Sequence, residues 1–171
     1  AAYLIINEPQ KGEQWSNGVA NRISWTKGLL DGVNAFDIEM SRMSVDGLIY
    51  VASAVPVNPP SLNIFMQDVP AGDDYFLLFV NATIGVKYGT SPMFSVRAAS
   101  NATASSPDAS APTVTISGAP NPLSVFATTF PPSANGVALP GYKALQSSMP
   151  QLMAMTAVMV FCLLGGAMTV L

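Results

Sequence analysis

Polar and apolar residues alternate with a period of two in several short stretches of the first hundred residues. In the clearest stretch, Phe36, Ile38 and Met40 alternate with the acidic Asp37 and Glu39. Successive side chains of a β-strand point to opposite faces of its sheet, so this pattern predicts a strand that is buried on one face only. No stretch of this region shows a convincing helical period.

Seven runs of this kind are separated by clusters of turn-forming residues at intervals of about ten residues. The runs cover residues 3–6, 21–25, 36–42, 48–52, 62–66, 75–80 and 93–97. This spacing predicts an all-β domain over residues 1–99, an Ig-like or fibronectin-like β-sandwich of seven strands. Asp46-Gly47 predicts a hairpin turn, and residues 87–90 are predicted to form another turn.

The alternation also predicts which side chains fill the core. Residues 75–80 are almost continuously apolar, as expected for a central strand that is covered on both faces. Tyr75 follows a Gly-Asp-Asp turn and is predicted to be a tyrosine-corner residue, whose hydroxyl group bonds to the backbone. The predicted core residues are Ile23, Trp25, Phe36, Ile38, Leu62, Ile64, Phe76, Leu78, Phe94 and Val96.

Residues 100–148 have a different composition. They are rich in Ser, Thr and Pro, and Asp108 and Lys143 are their only charged residues. No apolar period persists there, so we predict a disordered Ser/Thr/Pro-rich stalk, O-glycosylated if it is extracellular. Residues 113–116 alternate like a strand, but the surrounding composition favours an extended chain.

Residues 149–171 form an apolar tail with no charged side chain from Leu152 to Leu171. As a helix, these twenty residues would be about 30 Å long, enough to cross the hydrocarbon core of a bilayer. We therefore predict a C-terminal hydrophobic helix. Small residues and a polar spacer precede the tail, which is the pattern of a GPI-attachment signal. A retained transmembrane helix is the alternative.

The GPI interpretation identifies candidate attachment residues. Small residues at the start of the spacer are required, and the best run begins with Ser133, Ala134 and Asn135. A GPI-anchored protein enters the secretory pathway, so Ala1 is predicted to follow a removed signal peptide. The expected location is extracellular, at the cell surface or cell wall, with the protein GPI-anchored to the plasma membrane.

Composition excludes several classes of function. The chain has no His and a single Cys, Cys162, which lies within the tail. Zinc sites and Cys or His nucleophiles are therefore excluded for the rest of the chain. The net charge is −3 and the basic residues are scattered, so there is no electrostatic footprint for nucleic acid. A calcium-binding loop pattern is absent, and we predict neither a metal nor a cofactor.

Asp37 and Glu39 are the carboxylates whose spacing suggests chemistry. They are predicted to lie on the same face of one strand, about 7 Å apart. This is near the carboxylate separation in inverting glycosidases, about 6.5–9.5 Å. A glycosidase acid also needs a pocket that raises its pKa, and a solvated strand face gives none. We therefore predict a solvated face and no enzymatic activity.

Two other kinds of site follow from the sequence. Asn81 and Asn101 each begin an Asn-Ala-Thr sequon, so both are predicted N-glycosylation sites. Trp15 lies in a polar segment, where an exposed ring could stack on a sugar. Trp15 and Tyr88 are therefore candidate glycan contacts. The alternative for Trp15 is to cap one end of the sandwich.

The order of several short motifs resembles one family of fungal surface proteins. The motifs are LIINEP, then a Trp and ISW, then an alternating strand, VPAGDDYFLLF and SPMFSV. Over residues 3–98 they resemble the Ser/Thr-rich GPI-anchored membrane family, whose N-terminal Ig-like domain is shared with the yeast Kre/Knh cell-wall β-1,6-glucan synthesis proteins. The resemblance implies a non-catalytic surface or wall protein. The Kre/Knh proteins carry a further Lys/Arg-rich C-terminal region, and nothing comparable follows Arg97 here.

Two function hypotheses result. The first is a non-enzymatic GPI-anchored protein of fungal cell-wall organisation or biogenesis, with wall polysaccharide such as β-glucan as its expected partner. The alternative is a carbohydrate-binding module that grips wall glucan through exposed aromatic residues. The two hypotheses differ in whether Trp15 and Tyr88 form a flat, exposed platform.

Overall fold

The computed structural model describes residues 3–29, 32–98, 106–121 and 125–132, and within these ranges the chain forms strands and no helix. Eleven strands are found there. In chain order they are β1 (Leu4–Glu8), β2 (Gln14–Ser16), β3 (Ala20–Lys27), β4 (Ala35–Arg42), β5 (Leu48–Pro56), β6 (Ser61–Met66), β7 (Gly72–Asn81), β8 (Val86–Thr90), β9 (Phe94–Arg97), β10 (Thr113–Ile116) and β11 (Thr128–Thr129).

The strands form a sandwich of two sheets. The smaller sheet has the strand order β1-β3-β6-β10. The larger sheet has the order β11-β5-β4-β7-β9-β2, and β8 pairs with β7 beside this path. Most neighbours are antiparallel, while the pairs β2–β9, β6–β10 and β5–β11 are parallel.

Trp25 joins the two sheets at the centre of the core. Its ring, on β3, meets Phe36 and Phe79 of the larger sheet edge-on, with centroids 5.1 and 5.7 Å away. The rings of Phe36 and Phe79 stack on each other at 4.5 Å. The indole Nε1 donates a hydrogen bond of 3.0 Å to the Val57 carbonyl. The largest buried side chain of the smaller sheet therefore has its polar group satisfied as well as its apolar surface covered.

The seven predicted strands are all present, and most of the predicted core is confirmed. Eight of the ten predicted core residues are buried, but Phe76 and Leu78 are wrong. On β7 the alternate residues Tyr75, Leu77 and Phe79 face the core, whereas Phe76 and Leu78 are half-buried on the other face. A continuous apolar run carries no alternation, so the sequence did not distinguish its two faces.

The predicted turn at residues 87–90 is wrong, because this segment belongs to β8. It pairs antiparallel with β7 and packs Tyr88 partly against the core. At Gly89 the strand passes so close to β1 that an added Cβ would lie 2.6 Å from the Leu4 carbonyl oxygen. Only glycine permits this approach, which brings the edges of the two sheets together.

The structure also corrects the expectation that residues 113–116 belong to an unstructured stalk. They form β10, which pairs in parallel with β6 and buries Val114 and Ile116 in the core. The segment before β10 is held by Asn63, whose Nδ2 donates to the Asp108 carbonyl at 2.8 Å and whose Oδ1 accepts from the Asp108 amide at 3.0 Å. The sequence did not predict this strand, because it has only two apolar residues and lies in a Ser/Thr/Pro-rich segment.

After β10 the chain crosses to the other sheet and runs along the edge of β5. The amides of Asn121, Ala127 and Phe130 donate to carbonyls of β5, at 2.8 to 2.9 Å. Gly47, in the β4–β5 hairpin, has a φ of 105° and lies against the crossing segment, with its ideal Cβ position 3.1 Å from the Asn121 nitrogen. Contacts group Ala1–Ser133 into one compact unit, so the sandwich takes strands from beyond residue 99.

The remaining predictions for the C-terminal part lie outside the described residues. These are the hydrophobic helix of residues 149–171, the attachment candidates Ser133, Ala134 and Asn135, and the sequon at Asn101. In the ranges that the structure describes, no helix is long and apolar enough to span a membrane.

We predict that Trp25→Ala lowers the free energy of unfolding by about 3–5 kcal/mol, because it removes the aromatic contact with Phe36 and Phe79 and leaves a cavity. Chemical denaturation with the unfolding slope held constant measures this loss. Leu29→Ala is the matched control, since Leu29 is 95% exposed and should change the value by less than about 0.5 kcal/mol. A loss below about 1 kcal/mol for Trp25→Ala would contradict its place in the core.

A second substitution tests whether β10 belongs to the sandwich. Ile116→Ala should lower the free energy of unfolding by about 2–5 kcal/mol, because Ile116 is 2% exposed. Thr115→Ala, on the exposed face of the same strand, should have a much smaller effect. Equal and small effects of both variants would show that β10 adds nothing to the stability of the fold.

Candidate functional site

Asp37 and Glu39 lie side by side on the outer face of the larger sheet, as their spacing predicts, but they are not solvated. Both residues are buried, and each has only 9% of its surface exposed. Their strand, β4, lies inside the sheet, and Glu39 is flanked in register by Tyr50 on β5 and Leu78 on β7. Tyr50 and Leu78 cover Glu39 from both sides, so the solvated strand face that the sequence predicts is not observed.

Asp37 is held by three hydrogen bonds from two other parts of the sheet. Its Oδ1 accepts from the Ser53 hydroxyl at 2.7 Å and from the Ala54 amide at 2.9 Å. Its Oδ2 accepts from the Ala82 amide at 2.8 Å. Ala54 has a φ of 55°, a left-handed conformation that costs about 1 kcal/mol or more for a residue with a Cβ. The Asp37 carboxylate thus fixes a strained position of β5 and the turn that follows β7.

Glu39 has the electrostatics of a proton donor without the geometry of one. Burial raises the pKa of its carboxyl group, and the negative charge of Asp37 raises it further. A glycosidase needs such an acid beside a second carboxylate and a space for the sugar between them. Here the hollow beside Asp37 is lined by residues of β4, β5 and the turn after β7, and Glu39 is not among them. The pair shares a sheet face without sharing a cavity.

Trp15 is completely buried, so it is not a glycan contact and the first of the two candidates is wrong. It lies on β2, its ring is 4.4 Å from that of Phe94, and its Nε1 donates to the Glu13 Oε1 at 3.2 Å. The alternative prediction, that Trp15 caps one end of the sandwich, agrees with this burial. The polar residues around Trp15 gave no sign that β2 pairs with β9 and covers it.

Tyr88 is half-buried, and its ring meets the ring of Tyr3 edge-on, at 5.6 Å and an angle of 75°. Two rings at this angle do not form a flat surface. The platform of Trp15 and Tyr88 that would favour a carbohydrate-binding module is therefore not formed.

Asn81 lies at the end of β7, where its sequon forms the turn to β8. Its Oδ1 accepts from the amides of Thr83 and Ile84, at 3.1 and 3.2 Å, and its Nδ2 donates to the Tyr88 hydroxyl at 3.4 Å. The loop position expected for this sequon is thus observed. Glycosylation of Asn81 remains a prediction.

The tyrosine corner is confirmed, since the Tyr75 hydroxyl donates to the Pro70 carbonyl at 2.6 Å. Sequence reasoning missed the ion pair beside it. The Arg42 guanidinium lies 5.0 Å from the centre of the Tyr75 ring and binds the Asp74 carboxylate at 2.8 and 2.9 Å. Hydrogen bonds from Ser44 and Arg42 lower the pKa of Asp74 to about 2. A side chain at Gly72 would collide with this guanidinium, so glycine is required there. The ion pair joins the end of β4 to β7, and we call it the Arg42–Asp74 clasp.

In the described parts of the chain, no three acidic, His or Cys side chains are grouped so that they could hold a metal ion.

Comparisons with known proteins add little to this description. No family model matches the chain, and no curated protein matches it. A solved structure of fibronectin(III)-like modules of CbhA from Clostridium thermocellum is 23% identical, over 56% of this chain and 93% of that one, with a TM-score of 0.35. A likeness of this size carries no argument about function, and the all-β sandwich is established by the strand pairing itself.

The two carboxylates give a prediction with opposite signs. Asp37→Asn should lower the free energy of unfolding by about 1–3 kcal/mol, because a charged acceptor of buried hydrogen bonds is lost. Glu39→Gln should raise the free energy of unfolding at pH 7. Because the pKa of Glu39 is raised on folding, its ionisation costs stability above its unfolded value of 4.5, and the cost disappears at lower pH.

Denaturation of both variants and the unsubstituted protein at pH 7 and pH 3 measures these effects. The Glu39→Gln difference should be confined to pH 7. A strong loss of stability for Glu39→Gln at pH 7 would mean that the ionised carboxylate is needed in the fold.

Proposed function

We propose that this chain is a non-enzymatic, GPI-anchored protein of the cell surface or cell wall, in which the β-sandwich acts as a structural module. The single observation that carries the non-enzymatic part is the engagement of Asp37. A nucleophile or base needs a lone pair that is free to reach a substrate, whereas three hydrogen bonds within the sheet occupy three of the roughly four acceptor positions of the Asp37 carboxylate.

The electrostatic arrangement supports the same reading. Glycosidases separate the pKa values of two carboxyl groups that face one sugar. Glu39 has a raised pKa, but it lies between Tyr50 and Leu78 on a packed sheet face. The tyrosine corner and the Arg42–Asp74 clasp account for two further polar groups as parts of the fold.

The surface location is supported by the sequence. The uncharged apolar segment Leu152–Leu171 follows a polar spacer, and small residues at 133–135 precede that spacer. This combination is the pattern of a GPI-attachment signal. The motif resemblance over residues 3–98 supports a fungal wall context, with wall polysaccharide such as β-glucan as the partner class.

We predict that the purified protein does not hydrolyse β-glucan. The test is reducing-sugar release from soluble and insoluble β-glucans, with the Asp37→Asn and Glu39→Gln variants as controls for contaminating enzymes. Turnover that is present in the unsubstituted protein and disappears in either variant would contradict the proposal. Equal background in all three proteins would support it.

We predict that phosphatidylinositol-specific phospholipase C releases the protein from membranes, and that the released form lacks Cys162. The anchor is expected within residues 133–135, so mass spectrometry should detect a C-terminal peptide that ends at one of these residues. A matched sample without phospholipase should stay in the membrane fraction. Protein that remains membrane-bound after treatment and still contains Cys162 would instead indicate a retained transmembrane helix.

A further inference from the structure

The turn that carries Asn81 borders a hollow in the protein surface. The hollow has a volume of about 230 Å³, and we call it the Asn81 hollow. It is lined by Ala35, Phe36, Asp37, Ser53, Ala54, Asn81 and Thr83. It is smaller than the pockets that hold drug-sized ligands, about 300–1,000 Å³, so its size suits one sugar ring better than an oligosaccharide.

The Asn81 hollow has a fixed shape, because Asp37 ties its three sides together. The hydrogen bonds from Ser53 and Ala54 hold the β5 side, and the bond from Ala82 holds the turn at 2.8 Å. The Asn81 side chain is oriented by hydrogen bonds from the Thr83 and Ile84 amides to its Oδ1, and by a longer one, of 3.4 Å, from its Nδ2 to the Tyr88 hydroxyl. A preformed site loses less conformational entropy when it is filled than a flexible one does.

The chemistry of the lining fits a sugar. Ala35 and Ala54 lie beside the polar Ser53 and Thr83 and the Asp37 carboxylate, while the ring of Phe36 is directed into the core. A sugar ring likewise combines an apolar face with hydroxyl and amide groups. Asn81 is itself a lining residue, so the first sugar of a glycan on its side chain would be tethered within reach of the hollow.

We propose that Asn81 is N-glycosylated and that the first N-acetylglucosamine of its glycan occupies the Asn81 hollow as part of the folded structure. Asp37 is then a positioning residue for this modification. The proposal rests on the proposed function only in that the chain must meet the glycosylation machinery of the secretory pathway. Outer sugars of the glycan extend away and contribute no contact.

The experiment expresses the full chain in yeast behind a secretory signal peptide, so that the result does not depend on the natural route of the protein. Mass spectrometry first scores occupancy of Asn81. Endoglycosidase H then trims the glycan to its first sugar. The sugar-free comparison is Thr83→Ala, which destroys the sequon and keeps Asn81 with both of its backbone hydrogen bonds.

We expect the trimmed protein to melt about 2–4 °C higher than Thr83→Ala, and no lower than the untrimmed protein. Hydrogen exchange at the Ala54 and Ala82 amides should be slower when the sugar is present. In an Ala35→Leu background, in which the hollow is partly filled, the difference between trimmed and sugar-free forms should disappear. This comparison within one background cancels the effect of Ala35→Leu itself.

Three results would overturn the proposal: an unmodified Asn81, equal melting temperatures of the trimmed and sugar-free forms, or an unchanged difference in the Ala35→Leu background. If Ala35→Leu does not fold, the exchange rates at Ala54 and Ala82 decide alone. The phospholipase test of the natural anchor is scored separately, so failure of the surface location and failure of the sugar site remain distinguishable.

Discussion

The contact of Trp25 with Phe36 and Phe79 is the interaction on which the rest of the sandwich depends. The chain has one cysteine, so no disulfide within it can join the two sheets. The sheets must then be held by buried apolar surface, at roughly 25 cal/mol per Å². The aromatic cluster concentrates that surface at one point, and the hydrogen bond from Trp25 to Val57 keeps the only polar atom of the indole satisfied.

A buried carboxylate is the polar counterpart of this cluster. Asp37 follows Phe36 on β4, so the same strand directs an aromatic ring into the core and a charged group to the outer face. An unpaired carboxylate at that depth would be costly, and three donors remove the cost. Because those donors come from β5 and from the turn after β7, the charge specifies how three segments meet. Asp37 thus has a structural role in the larger sheet.

The sequence predicts the buried face of a strand where polar and apolar residues alternate. It does not predict burial that depends on pairing with a distant strand. Phe36, Ile38 and Met40 were assigned correctly, because a period of two leaves one arrangement of the faces. For residues 75–80 that period is absent, and the faces were assigned the wrong way round. Trp15 and β10 were missed because their burial depends on distant partners, β9 and β6.

The candidate site shows the same division. The sequence placed Asp37 and Glu39 on one face and Asn81 on a turn, both of which are local properties. It did not predict that the turn after β7 would donate to Asp37, because that bond joins residues 45 positions apart. The burial of both acids likewise follows from neighbours in the sheet rather than from their own strand.

The crossing of the chain from β10 to the edge of β5 covers backbone groups that would otherwise be open. Asn121, Ala127 and Phe130 donate to the carbonyls of Leu48, Tyr50 and Ser53 along that edge. An unpaired sheet edge is a template for pairing with another chain. The segment after β10 therefore protects the larger sheet at β5 from edge-to-edge association with a second copy.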